Sequence, residues 1–173
     1  MRHLNPFVKA PPLVAVIRLA GTIGGGARQG ALNDEGLAPL IERAFRRGKP
    51  AAVALLINSP GGSPVQSSLI AARIRRLSVE RKVPVYAFVE DVAASGGYWL
   101  ACAADEIWID PSSIIGSIGV ISAGFGFHDL IDRLGVERRV YTAGQSKSVL
   151  DSFQPENPED VARLKRMLEG VHI

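Results

Sequence analysis

The chain has 173 residues, of which 47% are hydrophobic and 21% are charged, and its formal net charge is +3. This balance fits one compact domain with a sizeable buried core and excludes extensive disorder. No apolar run reaches the roughly 18 residues that a membrane span needs, and residues 1–12 lack the apolar core of a secretory signal.

The arginines occur in scattered pairs near the ends of helix-like segments, where a cation complements the helix dipole and stays hydrated. No stripe of aromatic and basic residues accompanies them. The sequence therefore does not predict a nucleic-acid partner.

Short apolar segments alternate with amphipathic ones after a tail at residues 1–12. The apolar segments predict strands at 13–19, 51–58, 84–90 and 106–110, and a last short strand at 136–143. The amphipathic segments predict helices over 37–45, from Pro64 to about Leu77, directly after Ser95, over 127–135 and from Pro158 onward. This alternation predicts an α/β fold with parallel strands and right-handed crossovers, in a single domain over residues 13–173.

Several helix ends carry recognisable signals. Gly48 and Gly135 stand where a C-terminal cap is expected. Ser63, Pro64 and Gln66 have the pattern of a capping box, in which the serine and glutamine side chains bond each other's backbone N–H groups.

Two glycine-rich turns stand where a predicted strand gives way to a helix, at residues 58–62 and 93–97. Glycine permits a positive φ and a close approach, and the start of a helix presents unpaired N–H donors. Each turn alone is most simply an ordinary tight turn. Because they follow successive strands, they are expected to lie side by side, where together they can form an oxyanion hole.

Ser95 stands in the second turn, and a serine at such a junction is most often a helix N-cap. To act as a nucleophile it needs a base. His128 lies in a helix-like segment, so a serine, histidine and aspartate triad has thin support. Among the lysines, Lys147 has small uncharged neighbours, and partial burial there would depress its pKa toward neutrality, although a solvated lysine is the simpler interpretation. Ser117 is either a turn hydroxyl or a partner that orients a lysine amine.

Four segments together resemble the signal peptide peptidase A family of SppA and SohB peptidases: SPGG at 59–62, VAASGGYWLAC at 92–102, GSIGVI at 116–121 and YTAGQSK at 141–147. The resemblance runs in order from about Leu13 to the C-terminus. It implies a serine peptidase of crotonase-like or Clp-protease-like α/β fold, built from repeated ββα units, that needs no cofactor or metal.

Carried over by motif, the resemblance implies that Ser95 is the nucleophile, Lys147 the general base and Ser117 the residue that orients the lysine. The oxyanion donors would come from Gly61 or Gly62 and from the turn at Gly96.

The resemblance further implies apolar peptide substrates, such as signal-peptide remnants, and a ring-shaped homo-oligomer. Because no membrane anchor is present in the sequence, we expect a bacterial protein that is cytoplasmic or peripheral to the membrane. The C-terminal part of longer relatives is not present, and the chain alone is inactive if that part completes the cleft or the ring.

Two other functions stay open at this point. A crotonase-type hydratase or hydrolase of acyl-CoA would use similar paired N–H groups with carboxylates as acid and base, for which Glu90 and Asp91 are available. A non-catalytic assembly domain would keep the fold and leave Ser95 and Lys147 idle.

Overall fold

The structure, a computed structural model, describes residues 11–25, 30–144 and 147–172. Its contacts divide the chain into two compact units, Met1–Ile118 and Gly119–Ile173. Each unit is described by itself, and the single domain over residues 13–173 stays a prediction.

The first unit is built on a parallel sheet. Its strands are β1 (Val14–Ala20), β2 (Ala52–Ser59), β3 (Val85–Ala94), β4 (Glu106–Ile109) and β5 (Ile114–Gly116). The order in space is β1-β2-β3-β4, and β5 pairs with the last residues of β3. All pairings are parallel, which confirms the α/β class predicted from the sequence.

Three helices belong to the first unit: α1 (Asp34–Arg46), α2 (Pro64–Arg81) and α3 (Gly96–Ala101). The second unit contains α4 (His128–Arg133) and α5 (Pro158–His172). These helices confirm the predicted positions. Gly48 and Gly135 adopt φ values of +74° and +64°, as expected for residues that end a helix in the left-handed region.

The core of the first unit lies between the three helices and one face of the sheet. Alternate residues of each long strand point to it, and β2 contributes Leu55 and Ile57, both with no exposed area. The helices contribute Ile41, Ile70 and Ile74, which are equally buried. This packing fixes the carboxyl ends of β2 and β3 beside each other, and both glycine turns follow those ends.

Two details of the sequence prediction are wrong. Residues 136–143 form no strand: all are exposed, and no strand among the described residues pairs with them. The capping box is only half present. Ser63 Oγ accepts a hydrogen bond from Gln66 N at 3.4 Å, but Gln66 Oε1 accepts instead from the N–H of Asp34 at 2.8 Å, because the start of α1 lies beside it.

None of the helices in the described ranges combines the length and the apolar character needed to span a membrane.

Candidate active site

The two glycine turns are in direct contact. A Cβ atom added to Gly61 would lie 2.6 Å from the Ala94 carbonyl oxygen and 2.7 Å from Gly96 N. A Cβ atom added to Gly97 would lie 2.3 Å from the Ser59 carbonyl oxygen. These distances leave room only for hydrogen, so glycine is required where the turn after β2 meets the turn after β3.

Ser95 has a backbone conformation that side-chain-bearing residues rarely adopt, with φ +51° and ψ −121°. Such conformations cost about 1–3 kcal/mol each and persist only where the surroundings enforce them. Here Ser95 N donates to the Gly116 carbonyl at 2.7 Å, and the Ser95 carbonyl accepts from Trp99 N at 3.1 Å. The chain therefore holds this serine at a sharp turn between β3 and α3.

The Ser95 hydroxyl does not cap α3. Although Ser95 occupies the N-cap position, its side chain accepts no capping hydrogen bond in the described part of the chain. The side chain is half-buried at the end of β3, next to Gly61. The ordinary structural reason for a serine at this position is thus missing, and the hydroxyl is available for another role.

The two glycines of the first turn differ in what their N–H groups do. Gly61 is buried, and its N–H donates to Ser59 Oγ at 3.2 Å. Gly62 is exposed, and its N–H, like that of Gly96 at the start of α3, has no acceptor among the described residues. Of the three predicted glycines, Gly62 and Gly96 are thus the two whose N–H groups have no acceptor in the described ranges.

Ser59 shapes the first turn, a role that the sequence analysis missed. The residue has no exposed area. Its hydroxyl donates to the Gly21 carbonyl at 2.7 Å and accepts from Gly61 N, so it ties the turn to the end of β1. This role could have been predicted from the sequence, where a serine ends a mostly apolar strand directly before Pro-Gly-Gly.

Ser117 lies close to the second turn. Strand β5 pairs with the end of β3 so that Gly116 stands opposite Ala94, and Ser117 follows at once. Ser117 is exposed and has a φ of +53°. The first unit therefore brings together the predicted residues Ser95, Ser117 and the glycines of both turns.

Lys147 belongs to the second unit, where it begins a turn over residues 147–150. Its side chain is exposed, which agrees with the solvated lysine that was the simpler interpretation of its sequence context. The turn is anchored by Asp151, whose carboxylate accepts from Ser148 Oγ at 3.0 Å and from Phe153 N at 3.0 Å and forms an ion pair with Arg138. The bond from Phe153 N and the pairing with Arg138 lower the pKa of Asp151.

The carboxylates that an acyl-CoA hydratase would use are occupied. Glu90 pairs with Arg18 through two hydrogen bonds of 2.8 and 3.1 Å. Asp91 accepts from Asn58 Nδ2 at 2.6 Å. No cluster of three or more metal-binding side chains occurs in the described ranges.

Comparison with known proteins gives the same family as the motifs. A protein of Brucella abortus named Na(+)/H(+) antiporter NhaA is 55% identical over 161 residues, which are 92% of this chain and 22% of that protein. The chloroplastic serine protease SPPA of Arabidopsis thaliana is 34% identical over 92% of this chain and 24% of its own length. The chain thus spans about a quarter of the length of these relatives.

Among solved structures, a mutant of a membrane-bound stomatin-specific protease matches with a TM-score of 0.49 and 21% identity, over 67% of this chain and 54% of that one. The α/β class expected from the sequence is confirmed by the parallel sheet of the first unit.

The model of peptidase family S49 matches residues 78–172, which is more than half of the chain. The matched range contains the Ser95 turn, Ser117 and Lys147. The chain belongs to peptidase family S49.

Proposed function

We propose that the chain is the catalytic part of a serine endopeptidase in which Ser95 is the nucleophile. The observation that carries the proposal is the strained backbone of Ser95. It holds a hydroxyl that caps no helix against the first glycine turn, where the Gly62 N–H has no acceptor among the described residues. Strain of this kind concentrates at functional sites, where it aims a reactive group.

In the proposed reaction, Ser95 Oγ attacks the carbonyl carbon of a peptide bond while its proton passes to a neutral lysine amine. The N–H groups of Gly62 and Gly96 stabilise the oxyanion. The protonated lysine then gives its proton to the leaving amine, and the C–N bond breaks to leave an acyl-enzyme. Water, deprotonated by the same lysine, hydrolyses the ester and restores Ser95.

Lys147 is the proposed base and Ser117 the residue that orients its amine. The support is the match of the YTAGQSK and GSIG segments to the family motifs and the position of Ser117 beside the Ser95 turn. Arginine does not lose its proton in this pH range, and the matched motifs contain a lysine and no histidine, so Lys147 is the expected proton acceptor.

Apolar peptides such as signal-peptide remnants are the proposed substrates, and a ring of identical subunits is the proposed assembly. Both proposals rest on the family, as does the placement in the cytoplasm or at the membrane periphery. We further propose that the two units act together as one peptidase domain. The Brucella relative's name describes a protein of which the match covers 22%, so no transport activity is inferred.

The test is the pH dependence of hydrolysis of an apolar fluorogenic peptide. Because the base must be neutral, we expect kcat/KM to rise from pH 6 to pH 9. Ser95→Ala and Lys147→Ala should each abolish turnover. Lys165→Ala, which removes an exposed lysine of α5 in the same unit as Lys147, should leave it unchanged. A profile that declines from pH 6 to pH 9 while the fold is intact would contradict a lysine base.

A further inference from the structure

Cations are concentrated at the edge of the sheet opposite the glycine turns. Helices α1 and α2 each return the chain antiparallel to the strands, so both end where β2 and β3 begin. The residues at those two ends include Arg46, Arg47, Lys49, Arg81 and Lys82, all of them exposed. These five residues are called the basic rim.

The basic rim has five cations, and the same edge also carries the exposed carboxylate of Glu106 at the start of β4, opposite Tyr86. None of the five forms an ion pair with a carboxylate of the described residues. The acidic residues nearest in sequence have other partners: Glu42 pairs with Arg73, and Glu80 pairs with Arg76.

Exposed apolar side chains lie beside the residues of the basic rim. Leu13 is 47% exposed and Val79 is 68% exposed. Leu13 lies against the α1–β2 loop, because Ala51 N donates to its carbonyl at 2.8 Å and a Cβ atom on Gly48 would lie 2.6 Å from its Cδ2. Val79 is in the last turn of α2, where its carbonyl accepts from Lys82 N at 3.3 Å.

We propose that the basic rim binds the surface of an anionic lipid bilayer. Cations hydrated at the level of lipid phosphates, with a few apolar side chains between them, are the pattern of a peripheral membrane contact. Nucleic acid fits less well, because the exposed apolar side chains beside the rim, Leu13 and Val79, are aliphatic and do not stack on bases. Docked by this edge, the first unit would hold the carboxyl ends of its strands, with Ser95, away from the lipid surface.

This proposal is independent of peptidase activity, and its test is binding to vesicles. The probe is a set of vesicles of phosphatidylglycerol and phosphatidylcholine in a ratio of 3 to 7, with pure phosphatidylcholine as the neutral comparison. Each cation near such a surface contributes about a fivefold gain in partitioning, so Arg46→Gln with Arg47→Gln should weaken binding about 25-fold. Val79→Ser should weaken it a few-fold without changing its dependence on salt.

The matched control is Arg163→Gln with Arg166→Gln, which removes two exposed arginines from α5 in the second unit. We expect this control to retain at least half of the wild-type partitioning, and thermal unfolding should show that all variants are folded. Equal binding to neutral and anionic vesicles, no binding to either, or an equal loss in the control would overturn the proposal. Tighter binding of a duplex DNA probe, weakened by the rim variants, would also overturn it by making nucleic acid the partner.

Discussion

Replacement of Ser95 by glycine should stabilise the fold relative to replacement by alanine. Both changes remove the hydroxyl, so they share every effect of losing the nucleophile. They differ in the Cβ atom, which alanine keeps in a conformation with φ +51° and ψ −121°. Glycine adopts this region without a steric penalty.

The expected difference follows from two opposing effects. Relief of the strained conformation contributes about 1–3 kcal/mol in favour of glycine. The greater backbone freedom of glycine in the unfolded chain lowers the free energy of unfolding by about 0.5–1 kcal/mol and so offsets part of this gain. The glycine variant should therefore be the more stable by about 1 kcal/mol, which corresponds to roughly 2–4 °C in Tm for a chain of this size.

The assay is urea unfolding of both variants, followed by circular dichroism, with Ala94→Gly as the control for loss of a Cβ atom in ordinary extended backbone. The control should lose stability by about 0.5–1 kcal/mol. If Ser95→Gly is no more stable than Ser95→Ala, the backbone at this serine is not strained, and the observation on which the proposed function rests is removed.

Two further predictions concern Ser59, which holds the first turn, and the ion pair of Asp34 with Arg73 between α1 and α2. Ser59→Ala should cost about 1–3 kcal/mol of stability, because it removes the hydroxyl that bonds the Gly61 N–H and the Gly21 carbonyl. Because the first turn would then shift, kcat should also fall about tenfold to a hundredfold. A rise in KM with kcat unchanged would contradict the positioning role. The hydrogen bonds from Arg73 lower the pKa of Asp34 from 3.8, so this carboxylate stabilises the fold above that pH and the contribution is lost as the pH falls through the lowered value. Urea unfolding between about pH 5 and pH 2 should therefore show a shallower loss of stability for Asp34→Asn, and an identical slope would refute the linkage.

The first unit could largely be predicted from the sequence because its strands and helices have strong local signals. The continuous apolar run of β2 and the glycine after α1 are examples, and both elements form where they are expected. The predicted strand at 136–143 failed for a different reason. Its residues have the composition of a strand, but a strand needs a neighbour to complete its backbone hydrogen bonds, and local pattern does not provide one.

The candidate site shows the same division between local and non-local information. The glycines at the two strand ends predicted that the turns would lie together, and the contact of Gly61 with Ser95 follows that expectation. The hydrogen bond that already engages the Gly61 N–H could not be predicted, because it depends on where the Ser59 hydroxyl points. The conformation of Ser95 was equally hidden, since the hydrogen bond from its N–H goes to Gly116 in β5, a strand of three residues.

The most direct test of the central claim is labelling by a serine-directed peptidyl phosphonate at pH 8 to 9, with the modified residue located by peptide mass spectrometry. We expect one adduct, on Ser95, which is absent in Ser95→Ala and strongly slowed in Lys147→Ala. An adduct on another serine, or equal labelling of the wild type and both variants, would contradict the claim that Ser95 is the nucleophile.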